Sequence, residues 1–148
     1  MSIPSLTFYY DLDGQQLINS DGTTDNVVTP AIYTNNNYVL KIQLYNTYPN
    51  VFDVSGIVTW KAGIGNLGGT AAPFIEAVNA DFNNDAWANT ALGKISIDID
   101  SNSTTMEADL GSKILKIYYL ECKGNDGAND ITISLSKIYG KSTVYNVA

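Results

Sequence analysis

Residues 40–44 within the segment 38–45 alternate strictly between apolar and polar side chains, and residues 94–100 do the same. Successive side chains of a β-strand point to opposite faces, so this period of two predicts strands with one face against a core. In the second segment Ile95, Ile97 and Ile99 point inward, and the polar residues between them point to solvent. Strands of this kind must pair with other strands and pack their apolar face against a core, so the sequence is constrained to a fold that contains a β-sheet.

Similar short runs recur along the whole sequence, several of them separated by Asp-Gly pairs that accept the positive φ angles of hairpin turns. No extended amphipathic helix interrupts them, which disfavours α/β and helical-bundle folds. We therefore predict one all-β domain over residues 1–148, an antiparallel β-sandwich with jelly-roll or Greek-key-like connections and about eight to ten short strands. Further strands are predicted at 6–10, 27–33, 56–61, 74–80, 114–122, 131–139 and 143–147.

Four segments are predicted to have other structures. The loop 124–130 lies between two strong strands and is predicted to close an antiparallel hairpin. The Gly-rich segment 63–72 is predicted to be a long loop, and 80–92 has room for a short helical turn. Residues 104–111 are predicted to form one helical turn, capped by Thr or Ser and ended by glycine.

The charge of the chain excludes one class of partner. Its formal net charge is −7, and its eight basic residues are all Lys, without Arg or His. A nucleic-acid binder needs a cationic surface and usually Arg, so nucleic acid is not an expected partner. No apolar run approaches the roughly 20 residues that span a bilayer, and no secretory signal begins the sequence. We expect no membrane insertion and synthesis in the cytoplasm.

The sequence offers little catalytic chemistry. Without His, the usual catalytic triads and zinc sites have no base or ligand. Cys122 lies in an alternating strand and is interpreted as a packing residue. Asp98 and Asp100 share one face of a strand, as a glycoside hydrolase pair would, but that face is expected to meet solvent. The prediction is a protein that is not an enzyme and needs no cofactor, with hydrolysis by paired Asp residues as the weakest alternative.

Asp and Asn cluster in three loops, 11–14, 21–26 and 124–130. Their side-chain and carbonyl oxygens are the ligands that calcium prefers, but none of the loops has the ligand spacing of an EF-hand. The same residues are also those that turns select. Turn formation is the favoured interpretation, and no metal site is predicted.

Aromatic residues are the remaining candidates for function. Tyrosine has a flat apolar face and a hydroxyl, which suit both protein interfaces and stacking on sugar rings. A carbohydrate-binding module or lectin-like domain is therefore the alternative function. The candidate interface or sugar-stacking residues are Tyr45, Tyr48, Trp87, Tyr119 and Tyr145.

The order of the strands and turns along the sequence is similar to that of a known protein family. The strand 38–44 is followed by a proline-containing link, by Phe-Asp-Val-Ser-Gly at 52–56 and by a strand ending in Trp60. The strand 95–100, a hairpin and a closing Val-Tyr-Asn-Val segment at 144–147 come later. This order resembles the N-terminal domain of upper-baseplate and tail-fibre-associated proteins of tailed phages.

The resemblance implies a structural protein of a phage or prophage virion, located in the tail, baseplate or fibre. Proteins of this kind assemble with copies of themselves and with neighbouring tail proteins. We therefore expect a homo-oligomer with other virion or tail proteins as partners. A host surface glycan is a further partner if the protein takes part in host attachment.

Overall fold

The computed structural model of the chain describes residues 3–68 and 72–143. Within them the strands are β1 (Ser5–Asp11), β2 (Gln16–Ile18), β3 (Ala31–Tyr33), β4 (Asn37–Tyr45), β5 (Thr59–Gly65), β6 (Ile75–Val78), β7 (Lys94–Asp100), β8 (Leu115–Asn125) and β9 (Asp130–Lys141). The single α-helix in this part of the chain, α1, spans Thr104–Leu110, and 3₁₀ turns span Asn79–Asp81 and Thr90–Leu92. No helix among these residues is long and apolar enough to span a membrane.

The strands form two sheets that share one core. Sheet A has the order β2-β1-β4-β7, and sheet B has the order β3-β9-β8-β5-β6. This arrangement confirms the predicted all-β sandwich. Most neighbouring strands are antiparallel, but β1 pairs parallel with β4 and β3 pairs parallel with β9. A parallel pair requires a crossover connection, and between β1 and β4 the chain passes through β2 and then through β3 in the other sheet.

The two alternating segments are neighbours in sheet A, with the second at the edge of the sheet. They form β4 and β7, and Leu40 of β4 lies opposite Ile97 of β7. Both side chains are fully buried, as the alternation predicts. Ser96 is an exception, because it is predicted to face solvent but is buried. The segment 82–89 covers this part of the outer face of β7, and the Ser96 hydroxyl donates a hydrogen bond of 2.7 Å to Asp85 Oδ2.

The predicted loop over 63–72 is wrong for its first three residues, which continue β5. The glycines suit the strand because Pro73 packs directly against it. A Cβ atom on Gly63 would lie 2.9 Å from Pro73 Cγ, closer than side chains tolerate. The glycines therefore permit a close approach within a strand, whereas the sequence pattern indicates only a lack of periodicity.

Several predicted boundaries also shift. The strand predicted at 27–33 begins only at Ala31, and the short strand β2 has no counterpart among the predictions. The hairpin over 124–130 is confirmed, with Asn125 paired with Asp130 across the turn. The strand predicted at 143–147 lies outside the described residues except for Thr143, which is not in a strand.

Helix α1 forms where the sequence predicts a helical turn. Ser103 caps it, because its hydroxyl accepts a hydrogen bond from the Met106 backbone N–H at 3.2 Å. Gly111 ends the helix at a φ of 60°, in the region that favours glycine. Met106 and Leu110 are buried in the core, so the helix packs by its apolar side against the sandwich.

Ser101 connects the two sheets at the end of β7. Its side chain is fully buried, and its hydroxyl lies 2.6 Å from the Tyr33 carbonyl oxygen and 2.8 Å from that of Asn36. The same oxygen accepts a hydrogen bond from the Asn36 backbone N–H at 2.9 Å. Tyr33 ends β3 in sheet B, and Asn36 precedes β4 in sheet A, so one hydroxyl holds the crossing between the sheets.

We expect Ser101→Ala to lower the free energy of unfolding by about 2 kcal/mol, because the fully buried hydroxyl's hydrogen bonds with Asn36 and Tyr33 are lost. Urea denaturation followed by circular dichroism measures the effect. Ser112→Ala, at an exposed position, is the matched control and should change stability little. Equal stability of the two variants would contradict the role given to Ser101.

At Ser134, a Ser→Ala substitution is expected to raise the free energy of unfolding instead of lowering it. It lies on β9 opposite Cys122, it is buried, and its hydroxyl has no hydrogen-bond partner among the described residues. An unsatisfied buried hydroxyl costs free energy that an alanine at the same position does not. Ser134→Ala should raise the free energy of unfolding by about 1 kcal/mol in the same urea experiment. A loss of stability would show that the hydroxyl is satisfied.

Candidate functional site

The outer face of sheet B has several large apolar side chains that are exposed. We call it the β8–β9 face and define it by the side chains of Tyr33, Leu115, Ile117, Tyr119 and Tyr139. Tyr33, Leu115 and Ile117 are 47%, 42% and 41% exposed. These are large apolar side chains at strand positions that face away from the core, whereas the neighbouring Tyr118 is fully buried on the inner face.

The register of the strands makes this face contiguous. Ile117 lies opposite Tyr139, and Leu115 lies opposite Lys141. On the other side of β9, Tyr33 is paired with Lys141, whose ammonium lies 5.6 Å from the centre of the Tyr33 ring. Paired strands are about 4.8 Å apart, so these side chains form one surface across three strands.

Lysines surround this apolar surface. Lys137 and Lys141 lie on either side of Tyr139 along β9, and Lys123 lies beyond Glu121 on β8. Glu121 is the acidic residue of β8 on this face, and its carboxylate lies 3.9 Å from the Lys123 ammonium. In a chain with a net charge of −7, this concentration of lysine makes the β8–β9 face locally basic.

Loops cover part of the outer face of sheet A. At one end, the ring of Tyr48 packs against Tyr45 with centroids 5.0 Å apart and planes at 59°. Tyr48 also packs directly on Gly22, where a Cβ atom would collide with the ring. Tyr45 is consequently buried, and Tyr48 is 38% exposed.

Trp87 covers another part of sheet A. Its ring lies between two lysines of the outer face, 6.0 Å from the Lys41 ammonium and 5.4 Å from that of Lys94. Asp85 holds the segment in place by accepting hydrogen bonds from the Trp87 and Ala88 backbone and from the Ser96 hydroxyl. The Ser96 hydrogen bond is the main cause of the lowered pKa of Asp85.

The five aromatic candidates from the sequence therefore do not form one site. Tyr45 and Tyr48 form one pair on sheet A, Trp87 lies elsewhere on that sheet, and Tyr119 is on the β8–β9 face. Tyr145 lies outside the described residues. Binding at Tyr48, Trp87 and Tyr119 stays a prediction.

A cleft that the sequence does not predict lies beside β5 and β7, where Trp60 stacks on Phe82 with ring centroids 5.3 Å apart. Trp60 ends a predicted strand and Phe82 lies in an irregular segment. Nothing in their spacing indicates that the two rings meet. The abundance of Asn around Phe82 is the one signal in the sequence that distinguishes this region.

The residues considered for catalysis lie apart. Cys122 is fully buried, and burial raises the pKa of its thiol. Asp98 and Asp100 are exposed, and Asp98 accepts a hydrogen bond from the Asn83 amide at 2.7 Å. No group of three or more potential metal ligands occurs within residues 3–68 and 72–143.

The acidic loops form turns. Asp21 Oδ1 accepts hydrogen bonds from the backbone and the hydroxyl of Thr23, at 3.0 and 2.7 Å. Asp126 Oδ1 accepts from the backbone of Ala128 and Asn129, at 2.9 and 2.8 Å. These side chains close the chain on itself, as the favoured interpretation of the sequence has it.

Asp109, Lys116 and Tyr118 form the tightest charged group in the described structure. The Asp109 carboxylate accepts hydrogen bonds from the Lys116 ammonium at 2.5 Å and from the Tyr118 hydroxyl at 2.8 Å. These bonds lower the pKa of Asp109, with the Lys116 bond as the larger cause. Burial, reinforced by the carboxylate, raises the pKa of Tyr118. The group fastens α1 to β8.

This group makes the free energy of unfolding depend on pH in the acidic range. Because the pKa of Asp109 is lower in the folded chain than its ordinary value of 3.8, its contribution is complete above that value and is lost as the pH falls through the folded pKa. Asp109→Asn should lower stability at neutral pH and weaken the loss of stability below about pH 4. Urea midpoints across a pH series measure both. Asp25→Asn, at an exposed position, is the control and should retain the wild-type acid dependence.

Neither a scan against protein-family models nor a search of the curated proteins found a match to this chain.

Proposed function

We propose that this chain is a non-enzymatic structural protein of a phage or prophage virion, associated with the tail, baseplate or fibre, that self-assembles and supports host attachment. The observation that carries the self-assembly is the β8–β9 face. Three large apolar side chains there, Tyr33, Leu115 and Ile117, are each more than two-fifths exposed on adjacent strands. Water contact with such a surface is costly, and covering it stabilises an association.

Charge favours a second copy of the chain as the occupant. Lys123, Lys137 and Lys141 make the β8–β9 face basic, whereas Asp98 and Asp100 project from the outer face of sheet A. A copy that presents its acidic strand β7 to this basic face would pair opposite charges around an apolar centre. Contact between two different faces is heterologous, and closed heterologous contacts produce rings.

The resemblance in the order of the strands supplies the biological setting of the proposal. Tail, baseplate and fibre proteins act by forming symmetric assemblies with their neighbours. Within residues 3–68 and 72–143, Tyr33, Leu115 and Ile117 of sheet B stay exposed, and an exposed apolar surface of this kind suits such a role. The assembly is the part of the proposal that purified protein can test.

We expect Ile117→Lys to weaken self-association by about a hundredfold, because the substitution replaces buried apolar contact with a charge that the interface must desolvate. Size-exclusion chromatography with light scattering over a series of protein concentrations measures the effect. Val51→Lys is the matched control, because Val51 is 37% exposed and bridges to Tyr45 at the end of sheet A. Its assembly should equal that of the wild type.

A wild-type protein that stays monomeric at high micromolar concentration and copurifies with no tail protein would refute the proposal. Equal loss of assembly in the two variants would refute the use of the β8–β9 face. Raised salt provides a second test, because pairing between a basic and an acidic face weakens as ionic strength increases.

A further inference from the structure

The cleft beside β5 and β7 has a volume of ≈ 550 Å³. Pockets that bind small molecules span about 300–1,000 Å³, so the cleft has room for a saccharide of a few rings. Three segments contribute its walls: the start of β5, the chain from the first 3₁₀ turn to residue 90, and the start of β7. Its lining includes two aromatic rings, four amides and one cation, from Trp60, Phe82, Asn79, Asn83, Asn84, Asn89 and Lys94.

An aromatic wall lines one part of the cleft. Trp60 and Phe82 stack with centroids 5.3 Å apart and planes at 29°, and both are only half-buried. The Asn79 side chain accepts a hydrogen bond from the Trp60 backbone N–H, and the Phe82 backbone N–H bonds the Asn79 carbonyl at 3.1 Å. Phe82 also forms a bridge to Ile97 of β7. The two rings are thus held in position before any ligand arrives.

Amide side chains supply the polar part of the lining. Asn84 and Asn89 are exposed, and their side-chain amides form no hydrogen bond within the described part of the chain. The backbone of Asn89 is fixed by two hydrogen bonds with Lys94, of 3.0 and 2.9 Å. An amide offers both donors and an acceptor, as adjacent sugar hydroxyls require.

Charge narrows the class of ligand. Among the described residues, Lys94 is the one charged residue that lines this cleft, and its ammonium lies 5.4 Å from the centre of the Trp87 ring. A site built for phosphate or for a polyanion would hold several cations or a bidentate arginine, and the chain has no Arg. The combination of aromatic rings, amides and a single cation matches a ligand with apolar C–H faces and neutral hydroxyl edges.

We propose that this cleft binds a neutral saccharide, with a pyranose ring against the Trp60–Phe82 wall and hydroxyls bonded to the amides of Asn84 and Asn89. The site is separate from the β8–β9 face, but it adjoins the acidic part of β7, because Asn83 of its lining donates a hydrogen bond to Asp98. In a virion protein it would supply a direct contact with glycans of the host surface.

The test is a titration of ¹⁵N-labelled full chain with four neutral probes, namely maltotetraose, cellotetraose, mannotetraose and chitotetraose, up to millimolar concentrations. At least one probe should shift the Trp60 indole signal and the Asn84 and Asn89 amide signals in a saturable manner. The double variant Asn84→Ala/Asn89→Ala should bind that probe about tenfold more weakly, because two hydrogen-bonding groups are lost. Its melting temperature serves as the check on folding.

Two control variants show whether the loss of binding is specific to the cleft. Asn102→Ala removes an exposed amide beyond the far end of β7, about 20 Å from Lys94, and should leave binding unchanged. Ile117→Lys should also retain binding, whatever it does to assembly. The proposal is overturned if none of the four probes gives saturable shifts, or if the shifts map to Tyr48 instead.

Discussion

Ser101 lies where the two sheets of the sandwich come together, and its buried hydroxyl contacts groups from both. The turn 34–36 that it holds is also bonded at its start to the Lys141 carbonyl in sheet B, and the Asn35 N–H bonds the Ser101 carbonyl. Strands of both sheets therefore meet at the hydrogen bonds between Ser101 and the turn 34–36. Because each of these backbone groups is withdrawn from water, the crossing has one favourable geometry, and the positions of both outer faces follow from it.

The sequence predicts those elements that depend on local chemistry. Alternation identifies β4 and β7, and a capping serine with a terminal glycine identifies α1, because those signals concern neighbouring residues. The parallel pairing of β1 with β4 is not predictable in this way, since alternation is the same in either direction. The strand at Gly63 escapes prediction for a related reason. Its glycines leave room for Pro73, and that contact forms only when the chain is folded.

Candidate sites are harder to predict than strands. A high tyrosine content indicates that the protein has a binding surface. Whether a given ring is exposed there depends on which loop folds over it. Tyr45 is buried because Tyr48 and the loop at Gly22 cover that end of sheet A. Trp60 and Phe82, in contrast, meet across a distance in sequence that no local pattern records. Exposure is a property of the assembled fold, so the sequence could name the residue types but not the site.

The two sheets treat their outer faces differently, and this asymmetry links the structure to function. Sheet A uses Trp87 and Asp85 to cover its own strands, and even Ser96, polar and outward-facing, is buried beneath that cover. Sheet B has Pro73 over the glycines of β5, but among residues 3–68 and 72–143 it leaves Ile117 and Leu115 exposed. Covering costs chain entropy on both sheets alike. An exposed apolar face on one sheet alone is therefore favourable if another molecule covers it, and the cleft at Trp60 remains accessible beside the opposite edge.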